Sequence, residues 1–526
     1  MGENQIILEG MMPTLRKKNK MVMKIDGKQL LLVQNGDMIY ACNNRCPHEG
    51  YPLAEGTVSE GCILTCNWHN WKFDLARGDT LVGGDKLRLY PVEVKGDDIL
   101  IDMSDLPKDQ LIAQALNNLE ESFRLHEYDR MAREIARLQK AGGDALDALR
   151  HAIWKTYDKM EFGATHAFAG AADWLQLREQ FGTNDVMRLI PIVEAVGHFS
   201  WDTQREANYP FTNEVKDYDS DALVLAIEQE NEDEAVALMR GGLRDGLHYS
   251  DFEEALSTAA LAHYAGFGHS LIYVYKAGQL IAALGNEVAE PVLLALVRSL
   301  IFASREDLIP EFKAYAPALD KWDGRGQAPV SPDDFIGLSI REALNKCLSA
   351  SSDITGLYTA MLGANARNML KFDLAVQART DNQVQHNVGW LDFTHGLTFS
   401  NAVRNQCSKF PHLWAKGLLQ MACFSGRNMP YIDAKLDVRQ WQVKDSEMFL
   451  KENLVGLFDH GNPEFIVSCH LVKLLSAAAE EVAHNPNHIA TTDMLAAVNR
   501  FLNEPLKRKH AKRVAQQSLD FVARED

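Results

Sequence analysis

Cys46-Pro47-His48-Glu49-Gly50-Tyr51-Pro52-Leu53 and Cys66-Asn67-Trp68-His69-Asn70-Trp71-Lys72-Phe73-Asp74 decide what the front of this chain is. Each stretch offers one thiolate and one imidazole, as Cys-x-His and then, after a gap of seventeen residues, Cys-x-x-His. A Cys2His2 set can hold tetrahedral zinc, but zinc fingers group their ligands as a cysteine pair and a histidine pair. Here each loop is mixed. Mixed loops suit a two-iron centre whose irons differ, two cysteines holding one and two histidines the other, because both loops must reach both metals. Cys46, His48, Cys66 and His69 are therefore the expected ligands of a [2Fe-2S] cluster.

The flanking sequence reads as a small β domain. Met21–Ile25, Leu30–Val33 and Met38–Ala41 are short apolar strands, and Asp26-Gly27 and Asn35-Gly36 between them are hairpin signals. Leu87–Val94 and Ile99–Ile101 read as closing strands. Cys42 and Cys62 are expected to pack rather than to ligate.

On these loops the first hundred residues resemble a ferredoxin-type Rieske domain, as found in soluble electron carriers and at the front of ring-hydroxylating oxygenases. The resemblance implies a cluster that carries one electron at a time. Rieske proteins of the cytochrome bc type carry an extra cysteine in each loop, joined as a disulfide; here Tyr51 and Trp68 stand at those places. That departure points to the reducing end of the Rieske range, about −150 mV rather than +300 mV. His48 and His69 are expected near the surface, where electrons leave.

At 526 residues the chain is long enough for one small and one large domain. A net charge of −18 argues against nucleic acid or an anionic membrane as partner. No secretory leader is read at the front, no window approaches a membrane span, and the cysteines left after the cluster make no disulfide framework, so a cytoplasmic setting is expected.

Asp102 to Pro107 is the expected boundary, giving a Rieske domain over 1–104 and an all-helical, catalytic domain over 105–526. Beyond it the apolar period turns helical. Asp105 is placed to cap a helix carrying Leu111, Ala115 and Leu119, and further runs span Met131–Leu138, Leu223–Leu238, Phe252–Leu261, Ile272–Leu284, Val292–Phe302, Phe465–Val482 and Met494–Leu502. Gly241-Gly242, Pro310, Pro430 and Pro486 punctuate them. The fold class is thus multidomain, a small all-β domain followed by a large all-α one. The Asp/Glu-x-x-His-x-x-x-x-His iron motif of the ring hydroxylases is absent from the sequence, as are a dinucleotide fingerprint and a P-loop. Gly266-Phe267-Gly268 lacks the third glycine and the strand context of a nucleotide turn, so it reads as structural. Electrons must come from an external reductase or ferredoxin.

Several histidines sit inside apolar helical runs, where an unpaired imidazole is costly. His269, His395 and His470 share a local pattern and are the candidate catalytic residues. With His166 and His198 they form a candidate second metal site, for non-haem iron. Glu194, Asp392 and Glu481 lie at helical spacing to His198, His395 and His484. A di-iron bundle would want two Glu-x-x-His repeats, and only Glu481–His484 matches.

The helical part resembles the questin oxidase-like family on the His269–Ile272 segment, Thr394-His395-Gly396-Leu397-Thr398 and His470–Lys473. That resemblance implies oxidation of a polycyclic or polyketide-like aromatic with O2. The favoured reading is an oxidoreductase in which the Rieske cluster relays electrons to a helical site that oxygenates a small organic molecule. A second enzyme reading drops the extra metal and uses a histidine as base. A third is a non-catalytic electron-transfer or redox-sensing protein with a helical docking scaffold. The sequence leaves self-association into a homo-oligomer open.

Overall fold

The computed structural model describes residues 4–25, 27–486 and 488–525. Two compact units divide between Ala145 and Leu146.

The first unit begins with three small antiparallel sheets. Gln5–Leu8 pairs with Asp98–Asp102, which pairs with Val92–Lys95. A second sheet orders Lys20–Ile25, Lys28–Asn35, Met38–Asn43 and Leu89–Tyr90. The third orders Thr57–Val58, Ile63–Cys66, Trp71–Asp74 and Thr80–Val82. The expected closing strand over 87–94 is split in two, since Pro91 has no N–H to continue a ladder. The hairpin turn at Asn35-Gly36 forms, with Gly36 at φ 60°; Asp26 of the other turn lies outside the described residues. Leu31, Val33, Leu53, Leu64 and Phe73 build the core behind the ligand loops.

After Asp102 the chain is helical. The first compact unit nevertheless runs past residue 104 and keeps the helices Lys108–Phe123 and Tyr128–Lys140. Buried Asp85 explains the attachment: Arg133 donates to it twice, at 3.1 and 2.7 Å, and Arg137 once, at 2.6 Å. Asp105 does not cap the first of these helices. The helix starts after Pro107, and Asp105 accepts instead from Arg88 at 3.2 Å.

The second unit is a bundle of helices. The run expected over 223–238 is two helices, Ser220–Glu228 and Glu232–Arg244, broken at Glu230, whose φ is 56°. Gly241 and Gly242 do not punctuate; they lie inside the second helix. A Cβ on Gly242 would meet the Phe252 ring at 2.5 Å, so glycine here permits close helix packing. Among the described residues no helix is long and apolar enough to cross a membrane.

Candidate functional sites

The first ligand loop leaves the strand Met38–Asn43 and folds back on itself. The Cys46 N–H donates to the Tyr51 carbonyl at 2.8 Å, and the Gly50 N–H donates to the Cys46 carbonyl at 2.8 Å. Gly50, at φ 79°, supplies the left-handed turn. Lys20 donates to the carbonyls of Ala54 and Gly56, fastening the loop's far end. The second loop closes through the Asn70 N–H to the Cys66 carbonyl at 2.8 Å.

These loops bring all four predicted ligands to one end of the β domain. Cys46 and Cys66 are buried beside each other, while the His48 and His69 side chains remain 27% and 38% exposed. The two imidazoles face each other at 4.8 Å between centroids, and His48 stacks on Trp71 at 4.4 Å. Burial, with Cys66 beside it, pushes the Cys46 thiol up to about 11. A thiol held that high does not ionise at neutral pH without a cation beside it. His48 Nδ1 is buried with no hydrogen-bond partner, while its Nε2 lies 3.8 Å from Glu49. Two buried thiols and an orphaned imidazole nitrogen fit an iron–sulfur group. Of the other cysteines here, Cys42 is fully buried, whereas Cys62 is half-buried and accepts from Asn35 at 2.9 Å.

In the helical unit His166, His269, His395 and His470 come from four different helices, each within the first two turns. His166 Nε2 lies 3.1 Å from His269 Nε2, and His470 Nε2 lies 3.3 Å from His395 Nε2. The rings of His269 and His395 are 4.4 Å apart, and those of His166 and His470 4.8 Å. Outward contacts fix this orientation. His269 Nδ1 donates to the Gly266 carbonyl at 2.6 Å, and His470 Nδ1 to the Ile466 carbonyl at 2.6 Å, leaving each Nε2 with a lone pair directed at its neighbours. His166 Nδ1 lies 3.3 Å from the Tyr273 hydroxyl.

Gly266-Phe267-Gly268 aims His269. All three residues have positive φ, and a Cβ on Gly268 would meet the Phe424 and Phe399 rings at 2.9 and 3.0 Å. Burial holds all four imidazoles below their ordinary pKa, His269 at about 4, and Lys473 adds to the effect at each. They are neutral at pH 7. Imidazole nitrogens about 2.1 Å from one ion stand about 3.0–3.4 Å apart when adjacent, and the two measured pairs fall in that range.

His198 does not join this group. It is buried one layer out, stacked on Phe465, with Nε2 3.6 Å from Asp202. The three carboxylates at helical spacing are engaged elsewhere: Glu194 with His460 at 3.1 Å, Asp392 with the Gly389 N–H at 2.8 Å, and Glu481 with Arg404 at 2.8 Å. Sequence reasoning missed Tyr273 and Lys473 as parts of the site. Lys473 is buried, its amine lacks an acceptor among the described residues, and burial lowers its pKa. Their positions, i+4 from His269 and i+3 from His470, are the signal that could have found them.

Residues 10–87 match the Rieske [2Fe-2S] domain family. The ferredoxin component of the alkene monooxygenase system of Xanthobacter autotrophicus is 30% identical over 89 residues, 17% of this chain and 73% of the relative. The ferredoxin component of the naphthalene 1,2-dioxygenase system of Pseudomonas aeruginosa is 32% identical over 82 residues, 15% of this chain and 78% of the relative. Among solved structures, the ferredoxin of carbazole 1,9a-dioxygenase from Nocardioides aromaticivorans is 28% identical and covers 16% of this chain and 86% of its own, with a TM-score of 0.16. With the four candidate cluster ligands gathered at the tip of a small β domain, this chain belongs, through its N-terminal domain, to the Rieske [2Fe-2S] family, whose ferredoxin relatives support a role in electron transfer.

Proposed function

We propose that the chain is an oxygenase or oxidase in which the Rieske cluster supplies electrons to the helical unit. There, His166, His269 and His395, whose ring nitrogens lie within 4.8 Å of one another, would hold one iron ion beside an organic substrate, with His470 against His395. The carrying observation is the convergence of four neutral imidazoles from four helices, His395 and His470 buried and His166 and His269 half-buried. Four such rings in contact are costly core packing: one proton can bridge each Nε2 pair, but His395 Nδ1 stays buried without a partner among the described residues, and no pair can accept a second proton without burying charge. A metal ion resolves that conflict, and iron is the ion a one-electron donor can serve. Iron bound there would supply dioxygen activation. The protein's part is to hold the rings by Gly266, Ile466 and Tyr273 and to keep them unprotonated by burial. An aromatic substrate, suggested by the likeness of the helical segments to questin oxidase-like proteins, belongs to this reading. So do an external reductase or ferredoxin as donor and a cytoplasmic setting.

The burial of His395 and His470, with half-buried His269 beside them, weighs against a docking scaffold, which would need no such site. Iron and acid-labile sulfide counted on the full-length protein test the proposal. Three irons per two sulfides are expected, falling to two and two in His395→Ala with the cluster's visible spectrum intact. Two irons per two sulfides in protein purified and loaded with ferrous iron without oxygen would overturn the iron site.

A further inference from the structure

A cavity of about 270 Å³ lies where the helices Trp390–Lys409 and Phe465–His484 begin, beneath the segment that leads into the last helix, Ala511–Val522. It touches the histidine site through the backbone. Ile466, whose carbonyl accepts from His470, lines it, as does Leu391, one turn before His395.

Its polar lining is mostly donors. Lys507, Arg508 and Arg513 line it together with Asp392 and Glu464; Arg508 donates to Asn462, and Asp392 is already engaged by the Gly389 N–H and by Arg427. Arg513 Nε and Nη1 are buried and have no acceptor among the described residues. The same holds for the indole N–H of Trp390, a fully buried residue of the cavity wall. The first turns of two long helices add their positive ends. A buried donor left unpaired is costly, more so when charged, and neither a neutral hydrocarbon nor a cation removes that cost. Val388, Leu391, Ile466 and Leu506 supply an apolar side.

We infer that this cavity binds the acid group of a small organic anion, an aromatic carboxylate or phenolate of one or two rings, with Arg513 as counter-ion and Trp390 as second donor. Its identification as the substrate of the histidine site rests on the oxygenase reading; the anion binding itself does not. The covering segment is held by polar bonds. Gln377 donates to the Pro505 carbonyl at 3.3 Å, and Gln517 and Asn387 exchange hydrogen bonds at 2.8 and 2.9 Å.

Equilibrium binding of 2-naphthoate and of the neutral 2-naphthylmethanol to the full-length protein tests the inference. Naphthoate is expected to bind about tenfold to a hundredfold more tightly than the alcohol. Arg513→Met should abolish the preference and Arg513→Lys should retain part of it, both with unchanged thermal melting. Equal binding of acid and alcohol, an unchanged preference in Arg513→Met, or displacement of naphthoate by equimolar inorganic phosphate would overturn it. Iron counted on the same samples separates the two proposals. Naphthoate binding without the third iron faults the oxygenase reading alone, and the third iron without naphthoate binding faults this one.

Discussion

Tyr51 stacks on Trp68 at 4.1 Å between ring centroids and 16° between planes. The two rings join the ligand loops at the places where Rieske proteins of the bc type carry a disulfide. The Trp68 indole N–H also donates to Glu55 at 3.2 Å. A stack of this kind contributes about 0.5–1.5 kcal/mol beyond the area it buries, far less than a covalent link. Tyr51→Ala should therefore leave the domain folded and its cluster more labile. Bleaching of the visible absorbance by a chelator should run several-fold faster than in the wild type; an unchanged rate would mean that the stack is passive.

Exchanging one ligand tests the cluster assignment directly. His69→Cys would add a thiolate, and with it negative charge, to the histidine-bound iron. The reduction potential should fall by at least 100 mV, toward the value of about −400 mV typical of all-cysteine ferredoxins, and the electron-paramagnetic signature should change with it. Potentiometry on the variant reads this, and an unmoved potential with an unmoved signature would remove His69 from the ligand set.

The two sites differ in how far the sequence reveals them, and the reason is chain distance. Cys46 to His69 span one hairpin's worth of residues, so spacing alone carries the ligand set. His166 and His269 lie 103 residues apart, and no local pattern encodes their contact. Each sits in an apolar helix and reads there as core. Convergence is a tertiary fact, set by glycine turns such as Gly266–Gly268 whose role is invisible without the partners Phe399 and Phe424. At Glu230 the apolar spacing continues through a helix break, and the better signal was Asn231, which caps the next helix by accepting from the Glu234 N–H at 3.3 Å. Asp105 misled in the opposite sense. Its side chain suits a cap, but Pro107 fixes the helix start two residues later.

Gly268 offers a test of that aiming turn that leaves every histidine in place. Its φ is 80°, and the nearest atoms to a new Cβ are ring carbons of two buried phenylalanines. Gly268→Ala should cost about 1–3 kcal/mol in denaturant unfolding, from backbone strain and overpacking together. Because the same turn carries the carbonyl that orients His269, iron beyond the cluster pair should fall in parallel. Loss of stability with full iron retention would separate His269 from the proposed metal.

Asp85 makes the first unit's stability depend on acid. Burial alone would raise its pKa, but Arg133 and Arg137 outweigh burial, and the carboxyl is held below the ordinary value. A group depressed in the folded state contributes stability that is fully present above its unfolded pKa of about 3.9 and is lost as pH falls through the lower folded value. Asp85→Asn should remove that contribution. Both arginines are about a third exposed, which moderates the loss at pH 7 to about 1–3 kcal/mol. Stability measured in urea should then vary less between pH 5 and pH 3 in the variant than in the wild type. The helices Lys108–Phe123 and Tyr128–Lys140, tied down through Asp85, should exchange their amide hydrogens faster. Equal pH slopes in the two proteins would show that the tether carries no net stability.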